Sequence, residues 1–407
     1  MIGETFLQVL DSIQSDNPRI GSVVNENGIA ISGRQNYKNS PKYKMAVAEA
    51  AKIIEGVLTG RLRKHVLEEV MSTDDFPYLF GDILDRSVLA AYTEWPTTWD
   101  AVAKRSTVAD FRDAKIYPPT YGADGVLDVV EEAAPYPAAP IYEQAPLTWS
   151  VTKYGRTVPF TWESMINDDL DMLKDIPTRL GRAARRTENS LVTALYVNST
   201  GPHSSLYTSG NKNIINTTNG ASVNNPQLGI TGLQDAYTVL SKMVDESGQP
   251  IMRDVVTLVI PPALEVTARN ILNATEIRAT QIRAGGSPDA SSSGYQELAV
   301  SNWMRNKLRL VVDPYIPMVA TTNGNTSWFL FADPNYSREA IRIGFLRGHE
   351  TPEIWMRSPN AVRVGGGAVN PMDGDFDTDS IVYRIRHVTG VTVIDGKATV
   401  ASNGTGS

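Results

Sequence analysis

The chain has 407 residues, enough for two or three domains, and with 42% hydrophobic against 20% charged residues it can bury a real core, which excludes a wholly disordered protein. It has no cysteine, so disulfide frameworks, thiolate zinc sites, iron–sulfur clusters and cysteine nucleophiles are excluded. Lys plus Arg is 38 and Asp plus Glu 45, a net charge of −7, which argues against a chain that wraps nucleic acid directly, since phosphate binding takes clustered cations.

The N-terminus, Met1-Ile2-Gly3-Glu4-Thr5, lacks the basic flank and apolar run of a signal peptide, so the expected address is a cytoplasm. No run of about 18 apolar residues is present, and no membrane partner is expected. The first forty or so residues are polar with scattered turn formers and read as an arm. From Lys42, apolar residues at Val47, Ala51, Ile54, Leu58, Leu62, Val66 and Val70 predict a long helix. Ser72-Thr73-Asp74-Asp75 then caps a shorter helix carrying Leu84, Val88 and Leu89.

Between Trp95 and Phe160 prolines are dense, and helix is disfavoured. Leu147, Trp149 and Val151 alternate with polar residues, the period of a half-exposed strand. Gly125–Val130 is the expected partner strand, with Glu131–Pro146 as an acidic, Pro-rich tip. Such a hairpin has too few apolar residues for a core of its own and needs a surface to lie on. Asp168–Val197 follows as the strongest helix, with Ile176, Leu180, Ala184, Leu191 and Leu195 on one face and Arg179, Arg182, Arg185 and Arg186 off that row. It would span roughly 40 Å. Asn198–Asn225 reads as a solvent loop. An α/β pattern comes next: a helix over Leu233–Met243, a strand over Val255–Ile260, a helix over Ala263–Leu272, a Gly/Ser loop over Gly285–Gly294, and strands over Leu308–Val312 and Trp328–Phe331. Strands at Ile341–Phe345, Ile381–Ile385 and Val391–Ile394 and a small-residue tail, Ser402–Ser407, close the chain.

Catalytic signatures are missing. The four histidines, His65, His203, His349 and His387, have no ligand spacing and read as surface or packing residues. There is no G-x-S-x-G elbow, and Gly390 to Gly396-Lys397 fails the phosphate-loop spacing. Asp373, Asp375, Asp377 and Asp379 alternate as in a calcium loop, but the sixth-position Gly and twelfth-position Glu are missing, and a solvated acidic turn is the better reading. No catalytic residue, metal or cofactor is expected. An arm, a hairpin that cannot stand alone and a very long helix instead suggest an assembly protein.

An ordered series of short motifs carries a resemblance. It begins with Asp75-Phe76-Pro77-Tyr78-Leu79-Phe80-Gly81-Asp82-Ile83-Leu84-Asp85-Arg86, Tyr154-Gly155-Arg156-Thr157-Val158-Pro159-Phe160-Thr161, Ile166-Asn167-Asp168-Asp169-Leu170 and Gly181-Arg182-Ala183-Ala184-Arg185-Arg186-Thr187-Glu188-Asn189. It continues with Gly248-Gln249-Pro250-Ile251, Leu258-Val259-Ile260-Pro261-Pro262, Val312-Asp313-Pro314-Tyr315, Phe331-Ala332-Asp333-Pro334, Gly344-Phe345-Leu346-Arg347-Gly348-His349-Glu350, Pro352-Glu353 and Tyr383-Arg384-Ile385-Arg386-His387. Through these the chain resembles the major capsid proteins of tailed bacteriophages, with the Hong Kong ninety-seven-type shell fold.

The resemblance implies an α+β fold with an N-terminal arm and helix (1–73), the start of a peripheral region (74–124), an extended β-hairpin loop (125–160), a peripheral domain with a long spine helix (161–230), an axial domain (231–335), and the peripheral sheet with a C-terminal tail (336–407). It implies a structural subunit that assembles into hexamers and pentamers of an icosahedral shell enclosing double-stranded DNA without sequence-specific binding. The partners implied are itself, then scaffold, portal and decoration proteins. The virion capsid is the implied location, with assembly in the bacterial host cytoplasm. Glu131, Glu132 and Glu143 of the hairpin, Trp149, Lys153 and Arg156 of the following strands, and Arg179, Arg182, Arg185 and Arg186 of the helix are the expected subunit-interface residues. Some relatives cross-link a hairpin lysine to an asparagine; Lys153 and Lys115 are the available donors here, but no local motif marks their partners. A cellular nanocompartment (encapsulin-like) shell is the alternative within the same fold, and an extracellular carbohydrate- or calcium-binding module the alternative outside it.

Overall fold

The computed structural model describes residues 76–116, 127, 129–132, 135–136, 146–161, 170–244, 250–251, 255–282, 295–305, 307–335, 339–357, 360 and 375–406. The arm, the helix expected from Lys42, Glu143, and Asp373 of the acidic run lie outside these. The chain divides into two compact units.

The first unit takes residues 76–96, Thr152–Thr187 and Leu346–Thr389. Its helices are α1 (Phe76–Glu94) and the part of α2 (Leu170–Tyr196) up to Thr187. Four-residue spacing puts Ile176, Leu180 and Ala184 on one face of α2, and that face packs with Val88 and Tyr92 of α1 against Ile381, Tyr383 and Ile385. Those three alternate along β14 (Ser380–Val393), a single strand of 14 residues where the sequence suggested two. β14 pairs antiparallel with β4 (Thr152–Thr161), from Ser380↔Thr161 to Thr389↔Thr152, and with β13 (Glu353–Met356). Pro177 falls inside α2, leaving one carbonyl of the preceding turn without a helical donor.

The second unit takes Thr97–Val151, Glu188–Phe345 and Gly390–Ser407. A mixed sheet runs β10 (Arg309–Val312), β7 (Val255–Ile260), β11 (Trp328–Ala332), β15 (Thr399–Ser402); β10 and β7 are parallel, the other neighbours antiparallel. Every residue of β11 is buried, because both faces of the sheet are covered. Phe329 and Phe331 enter one core with Tyr196, Val259 and Phe345, while Trp328 and Leu330 enter another with Leu258, Leu233 and Met243. The helices of this unit are the end of α2, α3 (Ile230–Ser241), α4 (Glu265–Asn273) and the short α5 (Ile316–Val319). β1 (Ala103–Val108) is the neighbour of β12 (Ile341–Leu346), and Ile394, one residue past β14, donates to the Ala340 carbonyl at 2.9 Å.

Three sequence expectations are corrected. The strand at Leu147 is β3 (Leu147–Trp149), and its partner is β2 (Ala114–Ile116) rather than Gly125–Val130; Leu127, Val129 and Val130 have no strand structure. Asn198–Asn225 is no solvent loop: Leu206, Ile215 and Asn213 are fully buried, and the Asn213 amide donates to the carbonyls of Leu206 (2.9 Å) and Gly396 (2.8 Å). The C-terminal residues are packed too, since Ser402 donates its hydroxyl to Pro226 at 2.7 Å and the Gly406 amide donates to Asn225 at 2.7 Å.

Candidate assembly surfaces

The arginine row of α2 does not stand unanswered in the subunit. Two residues at the end of α1 and one just past it meet it within the first unit. Arg185 lies 3.8 Å above the Tyr92 ring and donates from Nε to the Tyr92 carbonyl at 3.2 Å. Arg186 and Arg182 lie 4.7 and 5.8 Å from the Trp95 ring, and Arg182 sits 3.8 Å from the Glu94 carboxylate. Aromatic faces attract guanidinium groups, so four like charges within about two turns become tolerable. Arg179 is exposed on the same helix.

On β4, Lys153 and Arg156 are exposed. Arg156 stands opposite Ile385 and borders a cavity of about 230 Å³ between α2 and the sheet, lined also by Tyr154, Leu180, Thr187 and His387. That volume is below the usual range for a small-molecule site, which starts near ~300 Å³. On the opposite face of β13 and β14, Trp355 is half exposed, with Arg384 and Arg386 at 5.8 and 5.1 Å from its ring. Arg386 and His349 both bond the Glu353 carboxylate. Burial raises that carboxyl, but the bonds from His349 and Arg386 outweigh it and hold Glu353 below the usual range.

Within the second unit, Trp149 is buried, its ring against Gly344, where a β-carbon would lie 2.0 Å from the ring. Its position is interior, so the part it plays at a subunit contact is at most indirect. Glu131 and Glu132 are exposed, and close by in sequence Leu127, Val129 and Tyr136 are 90%, 95% and 87% exposed. Large exposed apolar side chains are a feature that interaction surfaces share.

A buried polar brace, outside every sequence expectation except as a motif letter, ties α2 to the end of β10. Asp313, 1% exposed, accepts from Thr193 and Tyr196 hydroxyls at 2.5 Å each and from the Tyr315 amide at 2.9 Å. Burial pushes its carboxyl up, against the pull of those donors, and burial together with the Asp313 charge pushes the Tyr196 hydroxyl well up. In the acidic run, Asp375 is buried with Oδ2 3.1 Å from Arg357, while Asp377 and Asp379 are exposed; among the described residues no group of His, Asp and Glu is placed to hold a metal ion.

Packed cores, a buried polar brace and exposed apolar side chains are the make-up of a structural protein. Residues 144–402 match the phage capsid protein family, and the chain belongs to that family. No curated protein matches the chain at the sequence level. Similar solved structures include one from Microbacterium phage Oxtober96 (10% identity, covering 76% of this chain and 91% of that one, TM-score 0.43). Others are the capsid of cyanophage P-SCSP1u (15%, 75% and 87%, 0.44) and the holo-SrpI encapsulin complex of Synechococcus elongatus (12%, 76% and 89%, 0.41).

Proposed function

We propose that this capsid protein is the major subunit of an icosahedral head, forming hexamers and pentamers that close around double-stranded DNA. It would do so without catalysis and without reading DNA sequence. The observation that carries the reading is the exposed apolar segment after β2: Leu127, Val129 and Tyr136 cannot form a core of their own and are close in sequence to the acidic residues Glu131 and Glu132. In an assembly they lie on a neighbouring subunit, with Lys153, Arg156 and Arg179 as the exposed cations of the receiving surface. A net charge of −7 suits a wall that must hold its genome loosely enough to release it. Scaffold, portal and decoration proteins would join it in the host cytoplasm.

Negative-stain microscopy and sedimentation of the purified chain test this. Closed shells or capsomer rings are expected. Monodisperse monomers across salt and concentration overturn it.

A further inference from the structure

The first unit holds an aromatic side chain out on a fixed tip. Just before β14 the chain turns over residues 375–380, and hydrogen bonds close the turn. The Asp379 amide donates to the Asp375 carbonyl at 2.9 Å, the Asp375 amide to the Ser380 carbonyl at 3.2 Å, and the Phe376 amide to Oδ1 of Asn360 at 3.0 Å. Asp375 is buried, its Oδ2 3.1 Å from Arg357. A turn set in this way spares a partner the cost of ordering it. On it Phe376 is 76% exposed, followed by the exposed carboxylates of Asp377 and Asp379.

The same unit carries a socket of opposite character. The cavity of about 230 Å³ between α2 and the sheet has an apolar floor of Leu180, Ala184 and Ile385 beside the buried His387, and Gly155 and Ala183 on its wall are too small to fill it. It opens to solvent at the exposed Arg156. Arg179, also exposed, stands one helical turn from Ala183 on the same side of α2. The stretches that line the cavity, 152–161, 177–187 and 380–389, contain arginines and a lysine but no acid. An apolar cavity of about 150 Å³ is enough to take benzene, so this one has room for a phenyl ring.

Phe376 does not fill the cavity of its own subunit. Ser380 and Ile385 stand about 17 Å apart along β14 at the rise of a strand, and the tip lies beyond the Ser380 end. An aromatic ring beside two acids, and an apolar socket whose lining stretches carry only cations, are complementary surfaces that one chain keeps apart.

We propose that Phe376 of one copy enters the α2–sheet cavity of a second copy, with Asp377 and Asp379 set against Arg156 and Arg179 at its mouth. The ring supplies the apolar area that holds the contact, and the charges steer the approach. A phenylalanine brings no polar atom that the apolar floor would have to satisfy. Knob and socket are different surfaces of the same chain, so the contact runs head to tail and closes into a ring where the rotation allows it. One buried aromatic removes on the order of 200 Å² from water, against ~800 Å² per partner in a free-standing complex. The contact therefore belongs to an assembly in which each subunit makes several. This inference rests on the shell reading and names one of its contacts; Lys153, on the other face of β4 from Arg156, stays with the exposed segment after β2.

Sedimentation of the full chain carrying Phe376→Ser gives the first test. The free subunit should keep its unfolding midpoint, because the ring is exposed there, while particles should need about tenfold more protein to form. The absence of cysteine allows a second. Arg156→Cys and Asp377→Cys together, with Phe376 intact, should give a ladder of covalent multimers when assembled particles are treated with a short bismaleimide; each single variant, and the double variant as dilute free subunits, should give none. Particles of Phe376→Ser that form at the concentration of the unaltered chain overturn the contact, and so do particles of the double variant that give no ladder. Either result leaves the shell reading standing. If the unaltered chain never assembles, the shell reading fails and this inference fails with it.

Discussion

Gly181 of α2 and Val88 of α1 approach so closely that a β-carbon at 181 would sit 2.4 Å from the Val88 carbonyl oxygen and 3.2 Å from the Ala91 β-carbon. Backbone on one side and a packed methyl on the other leave nothing flexible to yield. Gly181→Ala should push the helices apart and destabilise the subunit by about 1–3 kcal/mol, the usual range for overpacking. Thermal or urea unfolding of the unassembled chain measures it. An unchanged midpoint would show that the helices separate freely.

The arginine row gives a second prediction. Arg185→Ala removes both the stack on Tyr92 and the bond to its carbonyl and should cost about 1–2 kcal/mol. Lys153→Ala, at an exposed site on β4, should stay within about 0.5 kcal/mol. Reversing Arg182 or Arg186 would expose a glutamate to Glu94 and Trp95 of its own subunit, so a loss of assembly from that change could not be assigned to a neighbour's acids.

What sequence alone could and could not supply follows from where the information lies. The helix at Leu170 and the strand at Trp328 were legible because their patterns are local: four-residue spacing in one, an unbroken apolar run in the other. The partner of Leu147–Trp149 was not, since Ala114-Lys115-Ile116 is three residues long and mixed in character; pairing across thirty residues leaves no local trace. The segment from Asn198 was misread because its polarity is real, yet Asn213 spends its amide on buried carbonyls rather than on water. The paired strands Glu276–Ile282 and Tyr295–Ser301 were missed because Arg, Thr, Gln and Glu interrupt the alternation. Of the expected contact residues, the arginines were seen as a cluster, but Glu94 and Trp95 as their partners were not, being some ninety residues away in the chain.

Asp313 predicts a pH dependence of one sign. Burial raises its folded pKa above the unfolded value near ~3.9, so between the two the native state binds more protons than the unfolded one. Stability from this residue is therefore greatest in acid and is lost as pH rises through that window. Asp313→Asn keeps the side chain's shape and an acceptor while removing the charge. Urea unfolding at a series of pH values should show a shallower fall above about pH 4 for the variant. A parallel pair of curves would place the charge elsewhere.

Glu353 predicts the opposite slope. Its folded pKa lies below the unfolded one, so its contribution is present at neutral pH and is lost as pH falls through the depressed value. Glu353→Gln should destabilise at pH 7, and the difference from the unaltered chain should shrink as pH falls below the ordinary carboxylate range. Because the group is partly exposed, salt should shrink the difference.

The exposed segment after β2 supports the sharpest test of assembly. Leu127, Val129 and Tyr136 make no buried contact in the subunit, so replacing all three with Ser removes nothing the isolated fold depends on. If they are covered by a neighbour, each contributes apolar area to a contact repeated in every subunit, on the order of 1–2 kcal/mol per side chain. The triple variant should therefore keep the unfolding midpoint of the free subunit, gain solubility, and need a much higher concentration to form particles. Charge reversal at Glu131 and Glu132 should shift the salt dependence of assembly more than its extent, since rim charges steer more than they hold. Sedimentation across a concentration series reads both. Particles forming at the same concentration from the triple variant would mean that this segment faces solvent in the assembled shell, and the contact between subunits would have to be sought on other surfaces.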